Sequence, residues 1–412
     1  MTALPNVRRK RTSLMLAMNV VALIVVAALG FIGVTALRHY EGATKVEPTA
    51  TLDFPSSQVG LLAITDEANR LAGLALIVSL PGDQVGGYLL PLPTSVDSTL
   101  GTGDQRVALT ATYAQDGIEG LALAVEGALS VTLNTSQLVT PAEAEALLAP
   151  VAPIQAQLPR DVRDTVDDAA VVVFPAGDTE LSAAQVVQVL TAEVSGEPES
   201  GRRDNINAVW TAIAAAGSGR TQWVAGTPVA SVSDLLTRTF AGQVVSQSFP
   251  TIPIAVELNP TGLDVEQIDQ PEAIMWLATV APGSMSAPGL GATYRIEAPP
   301  GNVQQVKAAI TALLAIGANI KSVDFNGPVL AVSMALVRAE DEAGFVIGDS
   351  DVFGTVQVAV DPQPYEGVNV VLQLGSDYLD SVVSTVPSTT STTSTTSTTS
   401  TTVASSATTT PP

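Results

Sequence analysis

Cysteine is absent from the chain, and histidine occurs once, as His39. The first absence excludes disulfides, thiolate metal centres and cysteine nucleophiles. The second excludes Ser-His-Asp relays in the body of the chain and imidazole-ligated zinc. Basic residues are also scarce, 18 against 40 acidic ones, and five of the 18 fall in the first forty residues, where no acidic residue occurs. The remainder is strongly acidic, which disfavours nucleic acid and anionic lipid headgroups as partners for a broad surface. Any anionic ligand needs a local cationic pocket. Without disulfides the fold has to be held by its core, and a 46% apolar composition makes that feasible.

What the chain does contain is one long apolar run. Ser13 to Leu37 carries no charge. As a helix it is about 37 Å long, enough to span a bilayer core of about 30 Å. Arg8, Arg9, Lys10 and Arg11 precede it and only Arg38 follows closely, so the positive-inside rule puts the N-terminus in the cytoplasm and the bulk of the chain outside. A cleaved signal peptide has a shorter apolar region and a small-x-small cleavage site, whereas Ala36-Leu37-Arg38-His39 is a poor one. The expectation is a single-pass protein of the cell membrane: cytoplasmic basic tail 1–12, transmembrane helix 13–37, juxtamembrane linker 38–53.

Beyond the linker, short apolar runs alternate with Gly and Pro. Val59 to Thr65, Leu71 to Leu80 and Gly87 to Leu92 read as strands covered on both faces, with Pro81-Gly82-Asp83 as a turn. Helices are expected over Ile118 to Leu129, Pro141 to Leu148 with Thr140 as N-cap, Leu181 to Val194 with Ser182 as cap, Ile206 to Ala216, Ser231 to Ala241 and Pro271 to Leu277. Val171 to Phe174 reads as a further strand and Thr251 to Leu258 as an irregular strand-like segment. The alternation predicts an α/β domain with a mixed sheet over residues 54–283.

Small residues from Pro282 onward predict a hinge at 284–291, then a smaller α/β domain at 292–381. Its expected elements are strand Thr293 to Ala298, helix Val303 to Ile316 closed by Gly317, and strands Lys321 to Phe325, Val329 to Val337, Thr355 to Val360 and Val368 to Leu374. Residues 382–412 are dominated by Ser, Thr and Pro, a composition expected to be disordered and a good acceptor of O-linked sugars.

Three local patterns invite a site. Arg160 to Asp168 alternates charges and reads as a solvated helix or loop face with pairs three and four residues apart, in preference to a metal site. Gly289-Leu290-Gly291 precedes a strand and follows no strand-helix turn, so it reads as hinge rather than nucleotide loop. Gly348 to Gly354 places two aspartates at calcium-loop spacing but lacks a downstream glutamate, and reads as an ordinary acidic loop.

Several stretches, taken in order, resemble the LytR-CpsA-Psr family of membrane-anchored envelope proteins. They are Arg70-Leu71-Ala72-Gly73-Leu74, Tyr88 to Val96, Leu109-Thr110-Ala111-Thr112-Tyr113-Ala114, Ala124-Val125-Glu126 and Leu181 to Val189. Tyr294 to Leu379 is similar to the LytR C-terminal domain frequent in actinobacteria, most closely at Val370-Val371-Leu372-Gln373-Leu374-Gly375-Ser376-Asp377-Tyr378. The resemblance implies a phosphotransferase that moves a glycopolymer from a polyprenyl pyrophosphate lipid to peptidoglycan, with arginines and aspartates around the pyrophosphate and magnesium. Guanidinium forks suit phosphate oxygens, and carboxylates suit a hard cation.

The chain departs from that pattern at Ala72, at Thr94-Ser95 where the family has Arg-Asp, at Thr191 and Glu193 where it has helix arginines, and at Asn205. Arg70, Arg202 and Arg203 remain as candidates for a phosphate or lipid headgroup, and no metal ligands are identified. The expectation is therefore a degenerate relative with impaired catalysis that binds polyprenyl lipid in its apolar interior, wall glycopolymer or peptidoglycan, or supports an active paralogue. No cofactor is expected. The alternatives are an active transferase using magnesium and displaced Asp66, Asp97 or Asp204, and a structural scaffold of the wall.

Overall fold

Two antiparallel strands with almost no polar side chain form the centre of the fold. The computed structural model describes residues 51–99, 106–259, 262–346 and 350–385. In it β1 (Gln58–Thr65) pairs with β2 (Leu71–Ser79), and β3 (Gly86–Pro91) adds to β2. Successive side chains of a strand point to opposite faces, and here both faces are apolar. Val59, Leu61, Leu74, Leu76 and Val78 enter one core, while Leu62, Ile64, Ala75 and Ile77 enter another. Parallel edge strands β4 (Thr135–Val139) and β9 (Gln243–Ser246) complete a mixed sheet of order β4-β1-β2-β3-β9.

One face is covered by α1 (Leu109–Leu129) and α6 (Gln270–Val280). The other is covered by α2 (Pro141–Leu148), α3 (Ala183–Thr191), α4 (Arg203–Gly217) and α5 (Val232–Phe240). Local sequence sets their ends. Thr140 and Ser182 each form a reciprocal capping box, with Glu143 and Gln185, as the caps predict. α1 begins earlier than the apolar period suggests, because a first helical piece from Leu109 joins the second across a break at Gly117, whose φ is 66°.

The charged run at Arg160 to Asp168 is a β-hairpin, not a helical face. β5 (Ile154–Leu158) leads into β6 (Val162–Val166), which turns at Asp167 and Asp168 and pairs with β7 (Ala169–Phe174); β8 (Gly177–Leu181) then returns to β5. Both turn aspartates have positive φ, 50° and 62°, a conformation that short polar side chains tolerate. The ion pairs of this run are also long-range: Arg160 with Asp204 at 3.0 Å and Arg163 with Glu197 at 2.6 Å.

β10 (Thr251–Pro253) and β11 (Glu266–Ile268) form a short antiparallel pair ahead of α6. The second mixed sheet contains β12 (Thr293–Glu297), β13 (Asn319–Asp324), β14 (Ser333–Val337), β15 (Val356–Val360) and β16 (Val370–Gln373), in the order β13-β12-β16-β14-β15. With it go α7 (Val303–Ala315), the short α8 (Ser350–Phe353) and α9 (Ser376–Thr385). The last helix reaches beyond residue 381, where the sequence pattern dissolves, because Tyr378 and Leu379 are buried against the second sheet's core.

The small residues between the two sheets permit close approach. Ser284 Oγ donates to Ser57 O at 3.0 Å, Thr132 N to Ser284 O at 2.8 Å and Lys321 Nζ to Met285 O at 2.7 Å. One apolar core runs through both sides, from Leu76 and Leu121 through Ile274 to Ile310 and Leu372. The connection is thus pinned at several points rather than open as a hinge. The first described residues dock on the second sheet: Leu52 bridges Tyr365, and the Phe54 ring stacks on Tyr365 with centroids 5.2 Å apart.

Among the described residues no helix is long and apolar enough to cross a membrane. The run at 13–37, most of the linker, residues 347–349 of the acidic loop and the tail from 386 onward lie outside the described residues.

Candidate functional site

A cleft of about 880 Å³ opens beside the first sheet, within the range of small-molecule sites. Its walls come from the β1–β2 turn, the end of β3, the start of α1, the approach to the charged hairpin, the end of α3 and the loop into α4. Two of the three candidate arginines, Arg70 and Arg202, border it, and Arg160 and Arg163 join them. Arg203 lies elsewhere. It donates to Thr251 Oγ1 at 2.7 Å and to Glu266 Oε2 at 2.5 Å, tying α4 to the β10–β11 pair.

Each guanidinium in the cleft is already engaged. Asp66 grips Arg70 through Nε at 2.8 Å and through the terminal nitrogen at 2.7 Å. The hydrogen bond to Asp66, its charge and that of Glu193 together raise the Arg70 guanidinium above its ordinary value. Arg160 faces Asp204, and Arg163 forks onto Glu197. Arg202 acts as a strut: its terminal nitrogens donate to the carbonyls of Leu190, Ala192 and Ala72 at 3.3, 3.0 and 2.9 Å. Its buried Nε finds no partner.

Glu199 is the residue that sequence reasoning missed. It lies among the buried polar groups and borders the cleft, and its two carboxylate oxygens accept the N–H groups of Thr94 and Ser95 at 2.8 and 2.7 Å. Its own N–H donates to Asp264 at 2.8 Å. Nothing in the local pattern of Glu197-Pro198-Glu199 marks it, because its partners are 104 and 105 residues away. Arg160 and Arg163 lay in view within the charged run, but their positions on a hairpin wall depend on the two-residue turn.

The three aspartates of the transferase alternative are held as well. Asp66 closes the β1–β2 turn, accepting the N–H groups of Ala68 and Arg70. Asp97 is buried and paired with Arg106 at 3.2 Å, and Asp204 is paired with Arg160. Among the described residues no group of three or more His, Asp or Glu is arranged to hold a metal ion. Part of the apolar interior, on the face covered by α4 and α5, is closely packed. Trp210, Phe240 and Leu235 occupy it, and a Cβ on Gly60 or Gly217 would sit 2.7 Å from Leu235 or 2.4 Å from Phe240.

No family model and no curated protein matches the chain. Solved structures similar to it include the LytR-Csp2A-Psr enzyme from Actinomyces oris, 18% identical, covering 56% of this chain and 94% of that one with a TM-score of 0.37. They also include B. subtilis TagV, 13% identical over 64% and 98% of the two chains with a TM-score of 0.39. TagT bound to LIIa-WTA is 14% identical over 54% and 88%, with a TM-score of 0.37. The first is a member of the family that the sequence resembles.

Proposed function

We propose that the chain is an envelope protein of the LytR-CpsA-Psr type, anchored by residues 13–37, that holds wall glycopolymer in this cleft without transferring it. The observation that carries the reading is the state of the cleft's four arginines. Two of them, Arg70 and Arg202, are candidates that the sequence resemblance gives for binding phosphate, yet three of the four are paired with carboxylates and the fourth is tied to three carbonyls. Pyrophosphate transfer relies on cationic donors preorganised toward the charge that develops on phosphate oxygens, whereas these guanidinium groups are aimed at the chain's own acceptors. A cleft whose guanidinium groups have fixed partners favours retention of a ligand over turnover.

Isolated cell walls provide the test. The full chain is expected to co-sediment with walls that carry their glycopolymer and to remain in solution with walls stripped of it by acid. Equal retention on both would overturn the reading.

A further inference from the structure

The composition of the cleft narrows the part of the polymer that it takes. Resting on the glycopolymer reading, we infer that the cleft binds an uncharged, polyhydroxylated stretch of glycan and excludes phosphate groups. Three observations carry this.

The first is charge. The four arginines of the cleft face five carboxylates, those of Asp161, Glu193, Glu197, Glu199 and Asp264. Two of the arginines are further neutralised from outside the lining by Asp66 and Asp204. An entering phosphate meets an excess of negative charge.

The second is occupancy. The successive N–H groups of Thr94 and Ser95 at the strand end form a small anion cradle of the kind that backbone donors make for phosphate. The Glu199 carboxylate already fills it. The chain therefore carries its own anion where a ligand's anion would have to go.

The third is hydrogen-bonding capacity. A guanidinium has five donors and a carboxylate about four acceptor positions, so a pair such as Arg163–Glu197 leaves both kinds unused at adjacent points. A phosphate oxygen only accepts, whereas a hydroxyl donates and accepts at once and satisfies both members of the pair. Ser95 adds a buried Oγ at the cleft wall with no hydrogen-bond partner. The volume of about 880 Å³ accommodates a short oligosaccharide.

Calorimetric titration of the full chain with a neutral hexamer of N-acetylglucosamine, a neutral glucose hexamer and inorganic pyrophosphate tests the inference. At least one neutral hexamer is expected to bind saturably and at least tenfold more tightly than pyrophosphate. Glu197→Gln, at an exposed ion pair, releases Arg163 and is expected to raise pyrophosphate affinity at least threefold. Pyrophosphate binding as tight as that of the better hexamer overturns the inference, and so does a preference unchanged in Glu197→Gln. Failure of every probe while wall co-sedimentation persists overturns it too and leaves the glycopolymer reading intact. Loss of co-sedimentation removes that reading itself.

Discussion

Glu199 shows how one residue can fix the chemistry of a cleft. Its buried carboxylate satisfies two N–H groups that would otherwise be orphaned at the end of β3. Hydrogen bonds to a charged acceptor contribute about 1.5–3 kcal/mol each, and an unsatisfied buried donor costs about 1–3 kcal/mol. Glu199→Gln keeps the shape but turns an amide NH2 toward one of the two donors. It is expected to lower stability by about 2–3 kcal/mol on this basis, read as a lower urea midpoint with an unchanged slope. An unchanged midpoint would mean that the lost bond is replaced by water. The arginine candidates divide on similar grounds. Arg70 and Arg202 reach the cleft, but Arg203, adjacent in sequence to Arg202, opens α4 on the side that faces Thr251 and Glu266. Sequence adjacency placed the two arginines together, and helix geometry separated them.

Elements with a strong local signal were legible in the sequence. The continuous apolar runs of β1 and β2, the capping boxes at Thr140 and Ser182 and the Gly317 stop after α7, with φ of 77°, all correspond to their patterns. Elements defined by long-range pairing were not. Val171 to Phe174 was legible as part of β7, but its hairpin partner β6 carries Arg163, Asp164 and Thr165 between its two valines and was hidden, and the edge strands β4 and β9 are short segments whose pairing partners lie far away in sequence. α9 was hidden by the Ser/Thr composition that follows it. That helix carries a pH-dependent contribution to stability. Burial pushes the Tyr378 phenol up from 10.0 to about 12, and its ring lies 5.3 Å from Phe353. Because the folded state prefers the neutral phenol, the contribution is complete below pH 10 and is lost as pH rises through about 12. Alkaline titration by tyrosine difference absorbance should show a late component that vanishes in Tyr378→Phe. A titration unchanged by the substitution would assign the late component to another tyrosine.

At the scale of the whole molecule the two sheets share an apolar core, and Lys307 adds an ionic link to it. Its ammonium reaches Asp269 at 2.5 Å and Glu272 at 2.8 Å, joining α7 to the start of α6. Partial burial opposes the charge, but the two carboxylates outweigh it and raise the Lys307 value above the ordinary one. Lys307→Met leaves both carboxylates without their cation and should cost about 1–2 kcal/mol in a denaturant titration, a modest figure because all three groups retain some exposure to solvent. The shared core implies that unfolding remains a single transition in the variant; two separated transitions would contradict it.

At the same scale, the acidic composition and the carboxylate-paired arginines of the cleft are what support the proposal of a protein that holds glycan and leaves pyrophosphate intact. The most direct measurement is formation of polyprenyl monophosphate by the full chain supplied with a polyprenyl pyrophosphate-linked sugar and peptidoglycan as acceptor, with and without magnesium. Formation no greater than in a protein-free control under both conditions is the expected result. Magnesium-dependent formation abolished by Arg70→Ala would contradict the account and identify the cleft as the centre of an active transferase.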